Sequence, residues 1–223
     1  MGWRIDCVVV GPIHCNCYIL SESISNKAYL IDPGAESKEL MTYLSRRNFD
    51  LQAVLITHGH IDHIGGIEML CQEFPTPVYF HPGDKPLFDD VAAQARLFGL
   101  QPPALLAKQP KTGTGSLQHN QSFAFEGGEV KVIHTPGHTP GSVCFYATGT
   151  DEVVFTGDTL FTGSIGRTDL WGGSFEQIIP SIKERLMTLD DNVKVLPGHG
   201  DDSTIGTERR HNPFLQEDES RTS

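Results

Sequence analysis

One phrase recurs four times along this chain and limits what it can fold into: an apolar run of strand length, a turn marked by Gly or Pro, and then a side chain able to bind metal. The densest copy is Ala53-Val-Leu-Ile-Thr57 followed by His58-Gly-His-Ile-Asp-His-Ile-Gly-Gly66. His58 and His60 lie two apart in extended chain, so both imidazoles project to one side. Asp62 and His63 open a helical turn, about 100° apart, and can aim at a neighbouring point. One loop can therefore serve two metal ions. Imidazole and carboxylate donors suit zinc, and nearly as well iron or manganese. The plain alternative, a polar loop with solvated histidines, is disfavoured by four such groups within six residues at a strand end.

The other three copies are Val130-Lys-Val-Ile-His-Thr-Pro-Gly-His138, Val153-Val-Phe-Thr-Gly-Asp158 and Val193-Lys-Val-Leu-Pro-Gly-His199. Strand ends hold ligands on a rigid scaffold, and glycines let the backbone pass close to a metal. Taken singly, His138, Asp158 and His199 read more readily as structural residues. Together with His58, His60, Asp62 and His63 they point to a metal centre. The remaining histidines, His14, His81, His119, His134 and His211, are expected to be non-ligands.

Between these markers the chain alternates strand and helix signals. Strands are expected over 5–10, 16–20 and 28–31, then a turn at Asp32-Pro33-Gly34 and a helix over 36–47, where Leu40, Tyr43 and Leu44 recur at helical spacing. A strand over 53–57 and a helix over 62–74 follow, then a strand over 78–80 and a helical stretch over 82–97. Residues 99–122 lack periodicity and read as a surface connection bordering the site. Strands over 123–125, 129–134, 142–147 and 152–155 precede a helix over 175–188 and a strand over 193–196. The tail over 201–223 is polar and expected to be loosely ordered at its end. Strands then helix occurs twice, which hints at two similar halves.

At 223 residues the choice is one large domain or a domain with an appendage, taking roughly 150 residues per domain. With 38% apolar and 20% charged residues the chain is neither disordered nor of low complexity. Seventeen basic against 28 acidic residues leave a net charge of -11, which opposes contact with nucleic acid or an anionic membrane. No run reaches the roughly 20 apolar residues of a membrane span, and Arg4 and Asp6 interrupt the start where a signal peptide needs an apolar run. A cytoplasmic location is expected. The five cysteines, odd in number and without a C-x-x-C spacing, are expected to be reduced and mostly packing residues.

These stretches resemble the metallo-β-lactamase superfamily, and within it the glyoxalase II-like (hydroxyacylglutathione hydrolase-like) group. The resemblance runs through residues 31–34, 57–66, 135–142, 157–161, 166–169, 197–200 and 204–215, nearly the whole chain. It implies an α+β fold of the αββα sandwich type: two mixed β-sheets face to face with helices on both outer faces, in a single domain over 1–223. It also implies one metal at His58, His60 and His138, a second at Asp62, His63 and His199, and Asp158 bridging both. Asp62 and Asp158 are then the catalytic carboxylates, and Asp32 orients a ligand imidazole. Two divalent ions, zinc first with iron or manganese as alternatives, are the expected cofactors.

Such a centre stays positive despite its two carboxylates and a metal-bridging hydroxide, so it favours an electron-rich substrate. A thiolate leaving group needs little protonation, since a free thiol has a pKa of about 8.5. The resemblance therefore implies hydrolysis of S-D-lactoylglutathione or a similar 2-hydroxyacyl thioester to free thiol and hydroxy acid, by a monomer or a homo-oligomer. Larger glyoxalase II enzymes carry a C-terminal helical domain that binds glutathione, whereas 24 residues follow His199 here. The chain looks like the short single-domain form, which leaves recognition of glutathione open. The alternative is a mononuclear iron persulfide dioxygenase using His58, His138 and Asp158. A true β-lactamase is disfavoured because those enzymes lack an aspartate at the position matching Asp158. Arg167 and Asp169 are expected to form a buried salt bridge near the site, while Arg209 and Arg210 are ambiguous.

Overall fold

Successive side chains of a strand point to opposite faces, and in β2 (Cys15–Glu22) both faces are covered. Tyr18 and Leu20 go to one side, Cys17 and Ile19 to the other, and all four are buried. Such a strand needs a layer above and a layer below. The structure, a computed structural model, describes residues 2–100, 102, 114–125, 127–149 and 151–216, and places β2 in a six-stranded sheet with β1 (Trp3–Val10), β3 (Lys27–Ile31), β4 (Asp50–Leu55), β5 (Val78–Phe80) and β6 (Thr114–Ser116). The spatial order is β1-β2-β3-β4-β5-β6, antiparallel through β3 and parallel beyond it.

The second sheet holds β7 (Ser122–Phe125), β8 (Gly128–His134), β9 (Val143–Thr148), β10 (Val153–Gly157), β13 (Lys194–Pro197) and β14 (Ser203–Thr204), in the order β14-β13-β10-β9-β8-β7. β10 and β13 run parallel, and their neighbours antiparallel. A short hairpin, β11 (Leu160–Phe161) with β12 (Ser164–Ile165), follows β10. Tyr18, Leu20, Ile31 and Leu55 of the first sheet meet Val132, Phe145, Phe155 and Leu196 of the second to form the central core. The expected mixed sheets, face to face, are what the chain forms.

Each outer face has its own helical cover. Leu40 and Leu44 of α1 (Lys38–Arg47) and Leu70 of α3 (Ile67–Glu73) pack on Cys17, Ile19, Leu30 and Val54. Ile178 of α6 (Phe175–Ser181) and Ile205 of α7 (Ile205–His211) pack on Cys144, Val154 and Val195. α1 begins at the Ser37 cap, whose hydroxyl accepts from the Leu40 amide at 3.1 Å, and ends at Asn48 in the left-handed conformation. All five cysteines are free thiols, and Cys15, Cys17 and Cys144 are buried among these apolar side chains.

Several expected elements differ in detail. The helix expected over 62–74 is two, α2 (Ile61–Ile64) and α3, because Gly65-Gly66 turns between them. A Cβ on Gly66 would stand 2.7 Å from the Ala35 carbonyl oxygen, so the chain crosses there at backbone distance. The stretch over 82–97 is a 3₁₀ turn at Pro82–Asp84 followed by α4 (Lys85–Asp89) and α5 (Val91–Leu97), with Asp90 breaking the run and capping Ala93. The helix over 175–188 stays α-helical only to Ser181 and widens to a π turn over Ile182–Leu186; Pro180 lies inside it and has no amide hydrogen to donate. The surface connection over 99–122 contains β6 and the buried Leu117, while residues 101 and 103–113 lie outside the described residues. In the tail, α7 and Leu215 dock on the second sheet, and 217–223 lie outside the described residues. No helix among the described residues is long and apolar enough to cross a membrane.

Phe145 is fully buried where the two sheets meet. Phe145→Ala is expected to lower unfolding free energy by about 3–5 kcal/mol, read from the midpoint of a urea or guanidinium titration.

Candidate metal centre

The parallel pairs β3/β4 and β10/β13 have their C-terminal ends at one edge of the sandwich, and that edge collects the polar groups. Strand carboxyl ends are the ordinary location of sites in sheets with parallel strands. β4 leads to His58 and His60, β10 to Asp158, and β13 to His199, while β8 leads through a turn to His138. A register shift between Phe155 and Gly157 turns β10 just before Asp158. Close packing of backbone demands glycine here: a Cβ on Gly198 would stand 2.5 Å from Asp158 Oδ1, and one on Gly157 would stand 2.4 Å from Thr57 Oγ1.

All seven expected side chains meet. Three overlapping groups have their ligand atoms within 4.8 Å of one another: His58, His60 and His138; His58, His63 and Asp158; and Asp62, His63 and His199. His138 Nε2 stands 2.9 Å from His60 Nδ1 and 3.2 Å from His58 Nε2. His63 Nε2 stands 3.2 Å from His199 Nε2, which is 3.1 Å from Asp62 Oδ2. Two nitrogens bound to one tetrahedral ion at 2.0–2.1 Å are about 3.3 Å apart, so the spacing is that of ligands around a cation. Asp158 lies between the sets, with Oδ2 3.6 Å from His138 Nε2 and Oδ1 3.4 Å from His63 Nε2. That Oδ1 is buried and has no hydrogen-bond partner. An orphaned carboxylate oxygen amid imidazole nitrogens, all nitrogen and oxygen donors, fits divalent metal.

The far sides of the rings are also held. Asp32 Oδ2 stands 2.8 Å from His63 Nδ1 and also accepts from Thr57 Oγ1 at 2.6 Å, while Oδ1 accepts from the Thr57 amide at 2.8 Å. His58 Nδ1 lies 3.0 Å from Thr57 Oγ1; because that hydroxyl donates to Asp32, the ring is left to donate to it. His138 Nδ1 donates to the Arg167 carbonyl at 2.7 Å, and His199 Nδ1 to the His14 carbonyl at 3.1 Å. In each case the proton is fixed on Nδ1 and the Nε2 lone pair faces the centre. The expectation that Asp32 orients a ring is met at His63. Its backbone φ of 51° lies in the left-handed region, which few non-glycine residues adopt, aspartate and asparagine more often than most.

Electrostatics divide the rings. Burial, then the neighbouring imidazoles, hold His58 well below its usual range and push His60 down to about 3, so both are neutral. Burial acts the same way on His63 and His199, but there it is outweighed. Cys15 and the carboxylates of Asp158, Asp62 and Asp32 raise His63, and Asp62 and Asp158 raise His199. Asp158 and Asp62 are held below the carboxylate range against their own burial by His63 and the rings beside it.

Two supporting residues escaped the sequence reading. Asp84, buried after β5, accepts from the amides of Gly59 and Gly141 and from Thr139 Oγ1. Gln94 of α5 accepts from the Ile61 amide and donates to the Gly59 carbonyl. Both lie in helical stretches that read as ordinary outer cover, and neither belongs to a ligand string, so no local signal marks them. Arg167 and Asp169 do pair, at 2.7 Å, but the pair is exposed and not buried as expected. The loop carries its backbone to His138 and turns its side chains to solvent. Arg209 and Arg210 bind Asp191, and Arg209 also the Met187 and Leu189 carbonyls, which makes them clasps of α7. Among the described residues the five other histidines join no metal-ligating group.

The family model for the Metallo-beta-lactamase superfamily matches residues 10–199, and the chain belongs to that superfamily. It is similar to hydroxyacylglutathione hydrolase GloC of Haemophilus influenzae, 37% identical over 213 residues that cover 95% of this chain and 98% of that one. Among solved structures it is similar to BLEG-1 B3 metallo-beta-lactamase, with a TM-score of 0.86 and 37% identity over 96% of this chain and 100% of that chain. It is also similar to TTHA1623 in a di-iron-bound form, with a TM-score of 0.80 and 37% identity over 94% and 100%.

Because the surrounding carboxylates raise His63 and His199 above the ordinary imidazole range, a metal must displace protons from these rings on binding. Metal affinity is therefore expected to rise with pH through neutrality, with protons released. Calorimetric titration of chelator-stripped protein in two buffers of different ionisation enthalpy measures that release.

Proposed function

We propose that this protein is a dinuclear metal hydrolase acting on small thioesters of the glyoxalase II type, with S-D-lactoylglutathione or a related 2-hydroxyacyl thioester as substrate. The observation that carries the reading is the buried, unpartnered Asp158 Oδ1 set between two groups of converging imidazoles. His58, His60 and His138 would hold one ion, and Asp62, His63 and His199 a second. Asp158, with one oxygen toward each set, would bridge them. Similarity to GloC supports the thioester class, and similarity to a di-iron-bound structure supports counting iron beside zinc as a candidate metal. We further propose that the 223 residues work as one cytoplasmic domain.

Divalent ions held by these residues would lower the pKa of a bound water to about 7 and polarise a carbonyl, so no serine or cysteine nucleophile would be required. The chain's own residues supply the geometry. Asp32 keeps the His63 proton on Nδ1, and the Arg167 and His14 carbonyls do the same for His138 and His199. Their Nε2 atoms then stay directed inward without a rotameric search. Asp62 and Asp158 remain ionised at neutral pH and would offset part of the charge of bound cations. The thiol leaves as a thiolate, which asks little of a general acid.

Release of free thiol from S-D-lactoylglutathione under anaerobic conditions tests the reading. Turnover that a chelator abolishes is expected. No release from metal-loaded protein, with oxygen uptake on glutathione persulfide or opening of a β-lactam instead, would reject it. Asp158→Ala and His60→Ala are expected to cut turnover by at least about 10³-fold and to lower bound metal while leaving circular dichroism unchanged. Asp32→Asn, which cannot match all the bonds of the carboxylate, is expected to weaken metal retention by about 10- to 100-fold, read by competition with a chromophoric chelator.

A further inference from the structure

Asp84 belongs to none of the metal-ligating groups, yet its bonds surround one of them. It ends the 3₁₀ turn after β5 and is 1% exposed. Oδ2 accepts from the Gly59 amide at 2.8 Å and from Thr139 Oγ1 at 2.7 Å; Oδ1 accepts from the Gly141 amide at 2.6 Å. Gly59 lies between His58 and His60. Thr139 and Gly141 follow His138 in the turn between β8 and β9. One carboxylate thus joins two loops, carried by opposite sheets, that bring three ring nitrogens together.

The packing leaves no slack at this junction. A Cβ on Gly59 would stand 3.1 Å from Asp84 Cβ, and one on Gly141 would stand 2.6 Å from Asp84 Cγ. From the other side of the first loop, Gln94 holds the Gly59 carbonyl and the Ile61 amide at 3.0 Å each. The position of His60 is therefore set by two side chains that do not touch the centre.

We infer that Asp84 is a positioning residue for the His58–His60–His138 set, fixing the separation of its two loops and so governing one metal ion of the pair and not the other. The inference rests on those three histidines being ligands, as proposed above. It follows from the bond pattern: three donors converge on two carboxylate oxygens, and an amide has a single acceptor oxygen. Whichever way an asparagine is turned at position 84, its NH₂ group meets an N–H or O–H donor. The loops then part, because a buried donor without an acceptor is costly.

Full-length Asp84→Asn and wild-type protein, both stripped and then titrated with zinc against a chromophoric chelator, test this. Wild type is expected to take two ions. The variant is expected to keep one at wild-type affinity and to bind the other about 10- to 100-fold more weakly. Its cobalt-loaded visible spectrum is expected to match that of His60→Ala and not that of His199→Ala. Wild-type affinity for both ions in Asp84→Asn overturns the inference. Equal weakening of both also overturns it, since a general structural role would do that. If circular dichroism shows Asp84→Asn unfolded, Thr139→Val removes one of the three bonds and is read the same way; selective weakening of one ion supports the inference, and an unchanged or uniform effect overturns it. A wild type that binds two ions beside an unaffected variant rejects only the role of Asp84. A wild type that takes up no metal rejects the centre itself, and this inference with it.

Discussion

Imidazole nitrogens 2.9 to 3.2 Å apart repel through their lone pairs unless a cation or a proton stands between them. Everything around the centre of this protein answers that repulsion. The ligand loops are anchored at strand ends inside a sandwich whose central core is fully buried, so the rings cannot swing outward without disturbing the junction of the two sheets. The proton-bearing nitrogens are bonded outward to Asp32, Thr57 and the carbonyls of Arg167 and His14, which leaves only the metal-facing side uncompensated.

The stress of this arrangement is visible in the backbone. Asp32 takes a left-handed conformation so that a single carboxylate reaches both Thr57 and His63. Gly157 and Gly198 let two strands pass within contact of Asp158 and Thr57. Both features lie at the ends of β-strands, where the sheet supplies the rigidity that makes such strain tolerable. The centre is thus an outcome of sheet topology, parallel pairs whose C-terminal ends share an edge, as much as of the residues that line it.

Much of the fold was legible because strand and helix each leave a periodic trace. The strands from Trp3 to Ile31 and from Ser122 to Gly157 lie where apolar alternation and turn residues place them, to within a few residues at each end. Helix continuity was less legible. Gly65-Gly66, Asp90 and Pro180 each interrupt an otherwise helical pattern, and whether a chain bends or breaks at such a point depends on what it packs against. β6 went unseen for a related reason: Thr114–Ser116 is too short to show a period and exists by pairing with β5. Arg167 and Asp169 were expected inside because they stand beside a ligand loop, yet only the backbone of that loop faces the centre.

The sequence by itself marked the seven side chains that meet at the centre and, through its resemblance to a known superfamily, the layered class of fold. A ligand string after an apolar run is a local pattern, and local patterns survive in one dimension. Only the tertiary structure decided which ring nitrogen faces inward and that Asp84 and Gln94 hold the loops. Those facts depend on contacts between residues far apart in the chain, such as Gly59 with Asp84, 25 positions away, and His199 with His14, 185 positions away, which no spacing along the chain encodes.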